Sequence, residues 1–211
     1  PTGEIIGRDN LAALYREVAD RGGSLVVDEI YHGLTYGSER VASILEVTDN
    51  AFVVNSFSKY FGMTGWRLGW MVVPEGVTET INVMIQNFYI SSPSVAQYAA
   101  LAAFNSEATD ILESRRNEFK KRRDFLVPAL QELGFGIPHV PDGAFYVYAD
   151  VQAFTDDCES FCWKLLHEHG VACKPGTDFG HHRASHHVRF AYTEPMDRLQ
   201  LGVERLRAAL K

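Results

Sequence analysis

Two short runs, Ser24-Leu25-Val26-Val27 and Ala51-Phe52-Val53-Val54, are almost wholly apolar and rich in β-branched residues, and each passes directly into polar residues. A strand apolar on both faces is expected where helices cover both sides of a parallel sheet. The first run follows a helical pattern over residues 9–21. There Leu11, Leu14, Tyr15 and Val18 recur at helical spacing, Asp9 is placed to cap the start, and Gly22-Gly23 ends it. Helix followed by buried strand predicts an α/β fold with a mostly parallel sheet.

A third strand is predicted over residues 68–73. Only seven residues lie between Lys59 and Arg67, whereas a parallel crossover needs about a dozen or more. The third strand is therefore predicted antiparallel, with Gly62, Gly65 and Gly69 easing the tight connection. Helices are predicted from Pro74-Glu75 to about residue 89, from Pro93 through Ala103, and over residues 108–133, ended by Gly134. The charged stretch 115–123 inside the last of these predicts a solvated face. Beyond Gly134, short strands at 144–149, 171–174 and 187–192 and helices at 157–169 and 195–210 predict a smaller α+β unit. The expected domains are residues 1–118 and 119–211.

Composition narrows the function. The 211 residues are 46% hydrophobic and 22% charged, which excludes a disordered chain. The net charge of −7 predicts no nucleic-acid partner. The longest apolar runs fall well short of the roughly 20 residues of a membrane helix, so no membrane association is expected. Three cysteines, an odd number, make no disulfide framework and predict a reducing, cytoplasmic setting. The chain opens Pro1-Thr2-Gly3 without an initiator Met, so a fragment of a longer protein is expected.

Polar residues collect at the carboxyl ends of the first two strands: Asp28-Glu29-Ile30-Tyr31 and Asn55-Ser56-Phe57-Ser58-Lys59. Ligands of open α/β sheets bind outside such ends. An antiparallel third strand returns Arg67 to the same edge. Two hydroxyls and an arginine suit a phosphate. A lysine between buried strands can form a Schiff base with an aldehyde. A carboxylate can hold a pyridinium proton, and a phenol can bond a ring hydroxyl. Together these meet the requirements of a pyridoxal 5′-phosphate site. Singly, each residue also has an ordinary role as a cap, turn or solvated residue, and spacing alone does not name the cofactor.

The segment Ser56-Phe57-Ser58-Lys59-Tyr60-Phe61-Gly62-Met63-Thr64-Gly65-Trp66-Arg67-Leu68-Gly69-Trp70 resembles the lysine signature of class I/II aminotransferases, enzymes of pyridoxal-phosphate fold type I. Asp28-Glu29-Ile30-Tyr31 is similar to the family's upstream motif, and Pro1-Thr2-Gly3-Glu4 to the end of its Asn-Pro-Thr-Gly motif. Pro141-Asp142-Gly143-Ala144-Phe145-Tyr146, Pro175-Gly176-Thr177-Asp178-Phe179-Gly180 and Val188-Arg189-Phe190-Ala191-Tyr192 resemble family segments in the family order. The resemblance covers essentially the whole chain. It implies part of the cofactor-binding large domain followed by the small C-terminal domain.

It further implies that Lys59 bonds the cofactor and shuttles the substrate Cα proton. Asp28 would pair with the ring nitrogen and Tyr31 with the ring oxygen. Ser56, Ser58 and Arg67 would hold the phosphate, and Arg189 the substrate α-carboxylate. The substrates implied are an L-amino acid and a 2-oxo acid, and the assembly a homodimer. Family members are longer, and the absent N-terminal portion would carry the remaining cofactor contacts, so the fragment alone is expected to be inactive or nearly so. Two alternatives share the same residues: another fold type I enzyme such as a C–S lyase, and a non-catalytic sensor domain of a transcription regulator. The stretch 62–67 is more similar to the aspartate and aromatic aminotransferase subgroup.

Other residues carry simpler expectations. His181, His182, His186 and His187 with Asp178 do not make an obvious ligand set, so no metal is expected. Cys158 and Cys162, four apart on a predicted helix, are expected as buried thiols. His167 and His169 are expected at the surface, Trp66 and Trp70 in packing, and Phe179 in the substrate pocket or the core.

Overall fold

The apolar stripe of Leu11, Tyr15 and Val18 forms α1 (Arg8–Ala19) in the computed structural model of the chain, which describes residues 1–37 and 40–211. The helix starts one residue earlier than expected. Its N-cap is Gly7, with no side-chain cap bond, so Asp9 is not the cap but an acidic residue of the first turn, where it faces the positive end of the helix dipole. The chain divides into two compact units, Ile5–Arg116 and Pro1–Glu4 with Asn117–Lys211.

In the unit Ile5–Arg116, β1 (Val26–Asp28) and β2 (Phe52–Ser56) pair in parallel, with Val26 opposite Phe52 and Asp28 opposite Val54. Strand β3 (Gly69–Val72) pairs antiparallel with β2, Ser56 lying opposite Gly69. The sheet order is β1-β2-β3. Helices α2 (Thr78–Phe88) and α3 (Ser94–Ala102) follow, and then α4 (Ser106–Glu132), in which the division between the units falls.

Leu11, Ile44, Ala51 and Val53 make one core cluster, with Tyr15, Leu25 and Val27 packed against it. Each large side chain buried there contributes about 1.5–3 kcal/mol. The expectation of strands covered on both faces is corrected. Val26 is 63% exposed and every residue of β3 is exposed, because in this three-stranded sheet only one face meets α1 and the 3₁₀ turn Ile44–Glu46.

In the other unit, β4 (Tyr146–Asp150), β5 (Lys174–Pro175) and β6 (His187–Ala191) form an antiparallel sheet of order β4-β6-β5. The strand expected over residues 171–174 is only two residues long and lies at Lys174–Pro175, since Pro175 has no N–H with which to continue the ladder. Helix α5 (Cys158–His169) is capped by Asp157, whose carboxylate accepts from Glu159 N at 3.1 Å and Ser160 N at 3.2 Å, and ends at Gly170 in the left-handed conformation. Helix α6 (Met196–Ala209) buries Leu199, Val203 and Leu206.

The charged run in α4 is likewise corrected. Arg123 and Arg122 donate to Pro141 O and Thr193 O, both at 2.7 Å, and their side chains are only 13% and 15% exposed. These arginines tie loops of the unit to the helix instead of forming a solvated face. Among the described residues no helix is long and apolar enough to cross a membrane.

Candidate functional site

Parallel pairing of β1 and β2 puts Asp28 and Ser56 at the same end of the sheet, and the antiparallel return of β3 brings Arg67 back to it. The connection between β2 and β3 is tightly knit. Ser56 Oγ lies 2.8 Å from Ser58 Oγ and 3.0 Å from Leu68 O, and accepts from Ser58 N at 2.9 Å. Thr64 Oγ1 donates to Ser58 O at 2.6 Å, and Arg67 donates to Thr64 O at 2.8 Å. Arg67 itself is left-handed, with φ of 54°, a conformation few residues other than glycine adopt. The turn thus gathers two hydroxyls, a backbone N–H and a guanidinium, all donors suited to an anion.

Beneath this turn Phe57 sits among Phe61, Trp70 and Phe104, with ring centroids 4.8, 5.1 and 5.8 Å away. Trp70 thus packs one edge against Phe57, although it is 39% exposed. Trp66 does not: it lies in the 3₁₀ turn Thr64–Trp66 at the surface and is 45% exposed.

Lys59 Nζ stands 5.7 Å from the centroid of the Tyr31 ring, so the two come together as a cation and an aromatic face. Asp28 accepts from Ile30 N at 3.0 Å, which turns the chain from β1 toward Tyr31. Its neighbour Glu29 is the one buried charged residue among those described, at 5% exposure. It accepts from Ser43 Oγ and Ile44 N, both at 2.9 Å, and so fastens the 3₁₀ turn to the end of β1.

Tyr60, next to Lys59, was not singled out in the sequence, yet its hydroxyl donates to Glu113 on α4 at 2.6 Å, and Glu113 also pairs with Arg116 at 2.7 Å. Burial, then the Glu113 hydrogen bond, push the Tyr60 hydroxyl up to about 12. The Tyr60 ring also lies against Gly33, where an added Cβ would come within 2.6 Å of it, and Gly33 has a φ of +89°.

Arg189 lies in the other unit, on β6, so it is described separately from these residues. Val188 and Phe190 are buried on one face of β6, and alternation turns Arg189 to the opposite face. Its guanidinium is sandwiched between two rings, 3.9 Å from the Tyr146 centroid and 4.3 Å from that of Phe179. Tyr146 pairs with Ala191, two residues along, so it is a diagonal neighbour of Arg189 across the β4–β6 ladder. Phe179 is 37% exposed and serves this sandwich, not the core.

His187 stacks on Tyr148 at 4.8 Å, and His181 and His182 are exposed. Among the described residues no group of three or more His, Cys, Asp or Glu side chains could hold a metal ion. Cys158 and Cys162 are buried, at 1% and 7% exposure.

A mixed three-stranded sheet with a lysine, a carboxylate and a hydroxyl- and arginine-bearing turn at one end, followed by an α+β unit, fits a partial fold of the pyridoxal-phosphate transferase class. The family model for aminotransferase class I and II matches residues 1–206, and the chain belongs to that family, whose cofactor is pyridoxal 5′-phosphate.

It is 40% identical over 207 residues to a valine–pyruvate aminotransferase of Mycobacterium tuberculosis, covering 98% of this chain and 53% of that protein. It is 35% identical to an aspartate/prephenate aminotransferase of Thermus thermophilus, covering 100% and 54%. The crystal structure of an aminotransferase from Mycobacterium tuberculosis superposes with a TM-score of 0.95 at 39% identity, covering 100% of this chain and 55% of that one. The chain thus spans about half the length of the curated relatives it matches, and its fold is a partial aminotransferase fold.

Proposed function

We propose that the chain is the C-terminal part of a pyridoxal 5′-phosphate-dependent aminotransferase, which moves an amino group between an L-amino acid and a 2-oxo acid. Residues 1–118 belong to its cofactor-binding domain and residues 119–211 to its small domain. The observation that carries this is the convergence at one end of a three-stranded sheet of Asp28, Tyr31, Ser56, Ser58, Lys59 and Arg67. The donor set fits the cofactor. The hydroxyls 2.8 Å apart and the guanidinium on one turn suit its phosphate, and the carboxylate at the end of the neighbouring strand suits its protonated ring nitrogen.

Pyridoxal phosphate, when bound, supplies an electron sink for the electron pair left at the substrate Cα. Ser56, Ser58 and Arg67 would hold the phosphate, Asp28 would keep the ring nitrogen protonated, and Tyr31 would donate to the ring oxygen. Lys59 would bond the cofactor through Nζ, and its amine would take the proton from the substrate Cα and deliver it onward. Arg189 grips the α-carboxylate. With Tyr146 and Phe179 on its two faces, its plane is fixed and its paired N–H donors meet the carboxylate together. The whole protein is a cytoplasmic homodimer acting on small molecules, without nucleic-acid or membrane partners. The net charge of −7 and three free cysteines support that setting.

The test is an absorbance titration of the full-length protein with pyridoxal phosphate, followed by borohydride reduction and peptide mapping. A visible band that reduction fixes onto Lys59 is expected, and Lys59→Ala should abolish it and lower turnover by about 10² or more. A band that survives in Lys59→Ala would sink the assignment.

A further inference from the structure

None of the three cysteines takes part in the proposed chemistry, yet two of them meet. Cys162 Sγ on α5 lies 3.3 Å from Cys173 Sγ, in the segment that leads from α5 into β5. Gly170 in the left-handed conformation ends the helix, and Val171 N donates back to Leu165 O at 3.0 Å, which folds Cys173 against the α5 face bearing Cys162. The third cysteine is occupied elsewhere: Cys158 is 1% exposed, and its thiol donates to Ala184 O at 3.4 Å.

We propose that Cys162 and Cys173 are a hydroperoxide-sensitive pair that closes to a reversible disulfide. The hydrogen bond from its partner holds the Cys162 thiol below its ordinary range, while Cys173, with the same contact and burial against it, is pushed up. Cys162 is buried and Cys173 half-buried, and either sulfur can be oxidised first while its neighbour resolves it. The thiolate of one cysteine attacks one oxygen of hydrogen peroxide. The O–O bond breaks, hydroxide leaves and takes up the proton that the thiol released, forming water, and the sulfur is oxidised by two electrons to the sulfenic acid. The other cysteine then attacks that sulfur. Its thiol proton goes to the departing hydroxyl, water leaves, and the S–S bond forms. An external dithiol returns the two electrons.

At 7% exposure, Cys162 suits an oxidant as small as peroxide better than a bulky disulfide. Forming the bond requires the sulfurs to close by about an ångström. The product would staple α5 to the strand segment in which Lys174 stands opposite Arg189.

The experiment treats the full-length protein with hydrogen peroxide at neutral pH, then blocks remaining thiols and maps peptides without reduction. The expected product is a linked Cys162–Cys173 peptide that disappears with dithiothreitol and is absent from Cys162→Ser and Cys173→Ser, while Cys158→Ser leaves it unchanged. In Cys162→Ser and Cys173→Ser, each of which lacks a resolving sulfur, the remaining cysteine of the pair should go on to the sulfinic acid that dithiothreitol does not reverse, whereas the wild-type protein recovers its thiols. Circular dichroism confirms that the variants are folded. A link through Cys158, or oxidation of Cys162 and Cys173 without a link between them, would overturn the proposal.

Discussion

Tyr60 links the lysine turn to a distant helix through one hydrogen bond, and that bond has a pH signature. Its hydroxyl, ordinarily near 10, is pushed up to about 12 in the folded chain, by burial first and the Glu113 bond second. Between about pH 10 and about 12 the unfolded chain ionises this phenol while the folded chain keeps its proton. The stabilising contribution is complete below the lower value and is lost as pH rises through the upper one. Tyr60→Phe should flatten the fall of the urea midpoint over that window and cost about 1 kcal/mol at pH 8. An unchanged alkaline slope would contradict this. Glu113 is far along the chain from Tyr60, and no local pattern announces such a pair. Asp28, Lys59 and Arg67 were legible because each sits where an apolar run or a tight glycine-rich turn ends. The Tyr146–Arg189–Phe179 sandwich was not, since it depends on the register between β4 and β6.

The β2–β3 turn shows that its glycines are unequal. A Cβ at Gly69 would stand 2.7 Å from Asn55 O, a backbone atom that cannot swing aside, while at Gly65 nothing lies within 4 Å. Gly69→Ala is expected to destabilise the chain by about 1–3 kcal/mol and to displace Ser56, which pairs with residue 69. Gly65→Ala should stay within about 0.5 kcal/mol of the original. Chemical denaturation of the two variants side by side checks both, and equal losses would refute the steric account. Sequence spacing could place glycines in the turn but not distinguish them, because the distinction lies in how closely β3 approaches β2. The helices were more readable, as an apolar stripe recurs over three or four turns. Their caps were less so: Asp9 had the right chemistry, but Gly7 had the right backbone conformation.

Across the whole molecule, apolar surface is distributed unevenly. Phe88, Tyr89, Ile90, Val95, Tyr98 and Leu101 are each at least 70% exposed, all in or beside α2 and α3. Exposed apolar surface of this extent drives association. The isolated chain is expected to bind a hydrophobic dye and to sediment as concentration-dependent oligomers, and a dye-silent monomer at tens of micromolar would contradict this. The apolar strand pattern was legible in the sequence, but the covering of both faces that it predicted does not hold in this chain, in which Val26 and β3 face outward. The strand pairing also orders events in time. Ser56 and its partner Gly69 are 13 positions apart, whereas Val26 and its partner Phe52 are 26 apart. Loop closure favours the shorter pairing by about 0.6 kcal/mol, and local contacts form fastest. On refolding of the complete chain, the β2–β3 turn proposed to hold the phosphate is therefore expected to form with its hairpin before the crossover delivers Asp28.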